Sequence, residues 1–169
     1  SLVLVPEGRE AVAEVLARNP SWRWFFFASL GAQMAGAPEA PLALFQQLRS
    51  KGGNATESEI APILWARLAA AKSAGGAYNI WLQLLSPEEM AEVRPVNNLD
   101  FSKPPGRTPF NWTVSRSVNV FVDFQERILR VRFGIGQVTF GGLSQVTFLS
   151  PGLYRFSGLE KGNMAAKRG

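Results

Sequence analysis

Val118-Asn119-Val120-Phe121-Val122-Asp123-Phe124-Gln125-Glu126-Arg127-Ile128-Leu129-Arg130-Val131-Arg132-Phe133 decides the fold class. Val118, Val120 and Val122 alternate with Asn119, Phe121 and Asp123, the period of two that marks a half-buried strand. Leu129, Val131 and Phe133 repeat the pattern after a turn at Gln125-Glu126-Arg127, leaving Arg130 and Arg132 on the wet face. The grammar is that of an antiparallel hairpin. Downstream, Gly134, Gly136, Gly141 and Gly142 bracket a strand expected over Val138–Phe140, and further strands are expected at Val146 to Phe148 and Tyr154 to Phe156. Pro151-Gly152 between the last two suits a type II turn. Short strands at this spacing predict an antiparallel β-sandwich.

Upstream the period becomes helical. Pro6 and Glu7 suit a first helical turn, and Ala11, Val12, Val15 and Leu16 form its apolar stripe. Asn19-Pro20-Ser21 breaks that helix. The next one is apolar on two faces (Trp22, Phe25, Phe26, Ser29, Leu30 and Met34; Trp24, Phe27 and Gly31), which predicts an inner helix covered from more than one side. A third helix is expected over Leu42–Ser50. Thr56 with Glu59 reads as a capping box ahead of the stripe Ile60, Ile63, Leu64, Leu68. Helices from about Tyr78 and from Ser86-Pro87 complete five or six, joined by Gly and Pro turns as an antiparallel helical-hairpin array. The fold class is therefore α+β: a helical-hairpin domain over 1–96, a linker over 97–109, and a partial antiparallel β-sandwich over 110–169. Four or five strands fall short of the roughly seven of a closed sandwich, so an open sheet edge is expected, with homodimerisation along it as a consequence.

Composition narrows function. The 169 residues contain no cysteine and no histidine, which excludes thiolate or imidazole metal sites, disulfides and His-dependent catalysis. The net charge of +5 is scattered, without the basic stripe interleaved with aromatics that phosphate tracking needs, and nucleic acid is not an expected partner. No apolar run reaches the ~20 residues that span a bilayer. Without an initiator Met the chain reads as an excised piece. A cysteine-free chain fits the cytosol or a bacterial periplasm equally well, so composition leaves the compartment open.

The candidates for chemistry are few. Asp123 and Glu126 flank a hairpin turn and are the carboxylate pair a hydrolase would use, but turn solvation accounts for them and no enzyme is expected. Gly134-Ile135-Gly136 lacks the third glycine and helix of a dinucleotide site. No cofactor or metal is expected. Trp22, Trp24, Trp65 and Trp81 lie on helical stripes, where core packing is their expected role. In the β half, Phe121 beside Asp123 on the face opposite the valine row, together with Trp112 and Tyr154, form the candidate ligand-binding set.

Thr108-Pro109-Phe110-Asn111-Trp112-Thr113 and the stretch Leu143 to Gly158, with Gln145-Val146 leading through Pro151-Gly152 into Tyr154-Arg155, resemble the strand–Pro-Gly–strand segment of jelly-roll carbohydrate-binding modules. With the helical array upstream, the chain resembles bacterial tetratricopeptide-repeat-associated proteins, some linked with exopolysaccharide or cell-envelope systems. The resemblance implies a jelly-roll-like form for the partial β-sandwich over 110–169, a non-catalytic binding module with a polysaccharide or protein partner, and the bacterial periplasm or cell envelope in preference to the cytoplasm. It assigns no sugar-contact residue. The alternative expectation is a protein-interaction scaffold whose helical array binds a peptide or a neighbouring subunit.

Overall fold

The computed structural model describes residues 2–33, 39–70 and 74–162. Within them the chain is a mixed helix-and-strand fold. Six α-helices follow a short 3-10 turn: α1 Pro6–Ala17, α2 Arg23–Gln33, α3 Glu39–Ser50, α4 Glu57–Ala70, α5 Gly75–Leu84 and α6 Pro87–Glu92. Two antiparallel two-stranded sheets come after, one pairing β1 Thr113–Val114 with β4 Leu143–Ser144, the other pairing β2 Val120–Gln125 with β3 Ile128–Phe133.

Local chemistry sets the boundaries. Ser86 caps α6 by accepting from the Glu89 N–H, and the Glu89 carboxylate returns the bond to the Ser86 N–H, a full capping box with Pro87 in the first turn. At Thr56 only half of the expected box forms: Glu59 accepts from the Thr56 N–H at 2.8 Å, while the Thr56 hydroxyl turns to Ser58. α3 ends in a Schellman motif, with Gly53 N–H on Leu48 C=O, Gly52 N–H on Arg49 C=O, and Gly52 at φ +79°.

α1 packs on α3, α2 on α4 and α4 on α5. The first core, including Leu16, Phe27, Leu44, Phe45 and Leu48, fills the space between α1, α2 and α3. Phe27 stacks on Phe45 at 5.3 Å. Beneath it lies a buried ion pair. Arg23 clamps Glu59 through Nε at 2.6 Å and Nη2 at 2.9 Å, and also reaches the Leu16 and Asn54 carbonyls. α2 is not the all-round inner helix that its composition predicts. It buries Arg23, Phe27 and Leu30, at i, i+4 and i+7, while Trp22, Trp24 and Phe25 stay about half-exposed or more. A single packed face explains this; Met34 lies outside the described residues. Among the four tryptophans expected on helical stripes only Trp81 is buried, against the expectation of core packing for all of them.

The second core joins the two halves. Leu64, Ala77, Ile80 and Trp81 surround Phe110, with Val146 packed against the group. Phe110 lies 5.2 Å from both Tyr78 and Trp81. The residues just before it are equally fixed: Thr108 and Pro109 are buried, and Trp65 donates its indole N–H to the Arg107 carbonyl.

The β half is smaller than expected. Alternation places Val120, Val122, Phe124, Leu129, Val131 and Phe133 on one face of the hairpin, and Phe121, Asp123, Arg130 and Arg132 on the other. The strands expected at Val138–Phe140, Val146–Phe148 and Tyr154–Phe156 do not form, and a complete sandwich is not present among the described residues. The physical reason is local. From Gln145 onward the chain bonds to isolated backbone groups, Val146 N–H to Pro109 C=O at 2.7 Å and the Thr147 hydroxyl to Pro95 C=O, rather than to a strand edge. Gly152 does not take positive φ, so Pro151-Gly152 bends the chain without the expected type II turn.

Candidate functional site

The seam where these elements meet holds a cavity of about 900 Å³, within the size range of ligand pockets. Its floor comes from α5 and α6 through Trp81, Leu85, Glu89 and Glu92; one wall is the segment 93–103, and the other is the chain around Tyr154, Arg155 and Phe156.

The wall at 97–103 is built by its own polar side chains. Asn98 Oδ1 accepts from the Lys103 N–H at 2.9 Å and its amide donates to the Lys103 carbonyl at 2.7 Å. Asp100 accepts from the Ser102 hydroxyl at 2.9 Å. These bonds hold Asn98 and Phe101 at φ +49° and +52°, backbone that a bulky side chain rarely adopts. The Phe101 ring is held between Trp112 at 5.9 Å and Phe124 at 5.0 Å. Asn97 fixes the base of the loop through reciprocal bonds with Gln145, at 3.0 and 3.1 Å, and through its amide on the Phe110 carbonyl.

Arg127, at the hairpin turn, closes on Asp100 through Nε and Nη2. Bonding from that guanidinium first, then from Ser102, lowers the Asp100 pKa to about 2. Lys103 pairs with Glu92 across the same rim.

Behind the loop, Glu57 fastens the halves together. Its Oε1 accepts from the Arg107 N–H (2.9 Å), the Thr108 N–H and hydroxyl (3.2 Å each) and the Asn111 amide (2.8 Å). Burial pushes its carboxyl up, and these four bonds outweigh burial and hold it below the ordinary carboxylate value. Only glycine fits beside it: a Cβ on Gly106 would stand 2.5 Å from Glu57 Oε1 and 2.6 Å from Asn111 Cβ.

The four residues singled out from sequence fall in separate places. Tyr154 lines the cavity, its hydroxyl donating to the Ser150 carbonyl at 2.6 Å. Trp112 stands behind the loop, donating its indole N–H to the Asn98 carbonyl at 3.0 Å. Phe121 and Asp123 are on the outer face of the hairpin. Phe121 is 58 % exposed with the Arg132 guanidinium 5.9 Å from its ring centre, and Asp123 is 3.9 Å from the same guanidinium. Asn97, Asn98, Asp100 and Arg127 escaped sequence reasoning, which took their segment for a linker and a turn. The cluster Asn97-Asn98-Leu99-Asp100 was the available signal, because Asn and Asp bond their own backbone and tolerate left-handed φ.

Among the described residues no group of three metal-ligating side chains comes together, and no helix is long and apolar enough to cross a membrane. Comparison with protein-family models, curated proteins and solved structures returns no match to this chain.

Proposed function

We propose that this chain is a non-catalytic binding module that takes a carbohydrate in the groove at the seam. The observation that carries the reading is the pairing of a self-bonded loop with exposed aromatics across one cavity. A pyranose offers an apolar C–H face to a ring and hydroxyls to polar groups around it. Tyr154 and Phe156, 59 % and 76 % exposed, supply the rings, and the loop over 97–103 supplies the polar groups in a geometry set before any ligand arrives. The carboxylates around the groove serve structure: Glu57 binds the halves, Asp100 holds Arg127, Glu92 meets Lys103 and Glu89 caps α6. The β half is read as an incomplete jelly-roll-like module, and its place as the bacterial periplasm or cell envelope, on the resemblance of its Pro-Gly segment to carbohydrate-binding modules. Calorimetric titration with a panel of oligosaccharides tests this. Binding that Tyr154→Ala weakens without changing the circular dichroism spectrum is expected; a silent panel contradicts the reading.

A second reading rests on different residues. β2 and β3 each keep an edge without a strand partner among the described residues, and Trp24 and Phe25 stand exposed on α2. Unpaired edges and exposed rings are what a protein-interaction scaffold or an edge-paired homodimer presents. Light scattering of the purified chain separates the two: a monomer at tens of micromolar removes the homodimer.

A further inference from the structure

We propose that the saccharide taken by the seam groove is acidic, carrying a uronate carboxylate that Arg94 and Arg155 receive. The inference rests on the carbohydrate reading above and adds the charge of the ligand.

Four cations and three carboxylates line the groove. Two opposite pairs cancel, Arg127 with Asp100 and Lys103 with Glu92. The remaining carboxylate, Glu89, is engaged with the Ser86 backbone N–H. Two arginines are left. Arg94 rests its Nη1 on the carbonyls of Ala91 and Val93, at 3.0 and 2.9 Å, which orients the guanidinium while meeting no carboxylate. Arg155, between the groove rings Tyr154 and Phe156, is exposed and has no ion-pair or hydrogen-bond partner among the described residues. A planar guanidinium with free donors matches a carboxylate in paired N–H···O bonds. An arginine flanked by aromatic rings thus places a carboxylate receptor next to surfaces that accept a sugar ring.

The same accounting argues against a densely charged polymer. Nucleic acid carries roughly one negative charge per 1.7 Å of duplex, and a run of phosphates would meet Glu89, Glu92 and Asp100 along the groove. A polyuronate carries one carboxylate per sugar, so its charge can fall at the arginines and its neutral hydroxyls at the carboxylates. The net charge of +5 adds a weak attraction toward such a polymer.

The test titrates the intact chain with oligogalacturonate, oligomannuronate and oligoglucuronate, and with their fully methyl-esterified forms, which keep the ring and lose the charge. Binding of at least one acid form is expected, weakened about tenfold by esterification and again by raising salt from low to about 0.5 M. Arg155→Gln and Arg94→Gln should each lower that affinity by about tenfold, with unchanged circular dichroism. Lys161→Gln, which removes an exposed cation outside the groove, should leave it unchanged. Equal affinity for acid and ester, or wild-type affinity in Arg155→Gln, overturns the acidic assignment and leaves the carbohydrate reading standing. Binding of neutral oligosaccharides alone does the same. No binding of any saccharide, acidic or neutral, overturns both. Capture of a short polyglutamate peptide in preference to every uronate also overturns the proposal, since the groove would then recognise a carboxylate chain rather than a sugar.

Discussion

Two glutamates two positions apart do different work, and neighbouring groups decide which. Glu57 and Glu59 both lie in the first turn of α4, the region where a helix favours negative charge. Glu57 points toward the Arg107–Asn111 segment and accepts four bonds from it; Glu59 turns inward to Arg23. Burial raises the Glu59 pKa, but bonds from Arg23 and Thr56 overcome it and leave the group below its ordinary value. A carboxylate depressed in the folded state adds stability above its unfolded pKa, near 4.3, and loses that stability as pH falls through the lower folded value. Removing Glu59 strands a buried guanidinium, a loss of about 3–5 kcal/mol for a broken buried pair. Glu59→Ala should therefore lower the free energy of unfolding by that much at pH 7, measured by urea unfolding. The gap between variant and parent should shrink as pH drops below about 4.3, where the unfolded parent takes up a proton on this carboxyl that the folded state still resists. A gap independent of pH would mean that the charge of Glu59 carries none of the effect. Sequence patterning located the Thr56–Glu59 pair as a cap but not its partner, because Arg23 is separated from it by 36 positions and nothing local announces that contact.

At the level of elements, the hairpin was legible and the later strands were not. Alternation from Val118 to Phe133 predicts turn and faces together, and the register follows in the structure because each strand finds its neighbour a few residues away. Val146, Phe148, Tyr154 and Phe156 carry the same alternation, yet alternation states only which side chains share a face and says nothing of whether an edge is present to pair with. The helices show the corresponding limit. Their starts follow from Pro6, Ser86 and Pro87, whereas the exposure of Trp24 and Phe25 depends on how many neighbours α2 meets. The hairpin turn itself leaves room for improvement. Glu126 and Arg127 both take positive φ, at 53° and 62°, the backbone of a type I′ turn, which prefers Asn then Gly. Arg127 is held there by Asp100, so Glu126 is the position to change. Glu126→Asn should raise stability by about 0.5 kcal/mol, since Asn enters left-handed backbone with less strain. A thermal midpoint that falls instead would show that the Glu126 side chain contributes contacts outweighing the strain.

For the whole molecule, the seam is the feature that organises the rest. Phe110 is buried among Leu64, Ala77, Ile80 and Trp81, so the first ring of the β half belongs to a helical core. The segment over 97–109, composed of turn residues, reads from sequence as a tether. In the structure its Asn, Asp and Ser side chains bond one another and the flanking elements, forming one wall of the groove. Turn propensity marked where the chain would leave helix and strand, but it could not indicate that the turn would be a wall. Of the four residues chosen for binding, Tyr154 faces the groove, Trp112 supports the loop, and Phe121 with Asp123 lies on the outer sheet face under Arg132. Those placements define two rival binding faces on one molecule. Hydrogen exchange of the full chain, with and without the saccharide panel at millimolar concentration, distinguishes them most directly. Ligand-dependent protection over 94–103 and 153–157, with 118–133 unchanged, is the predicted result; protection confined to 118–133, or none at the seam, would contradict it.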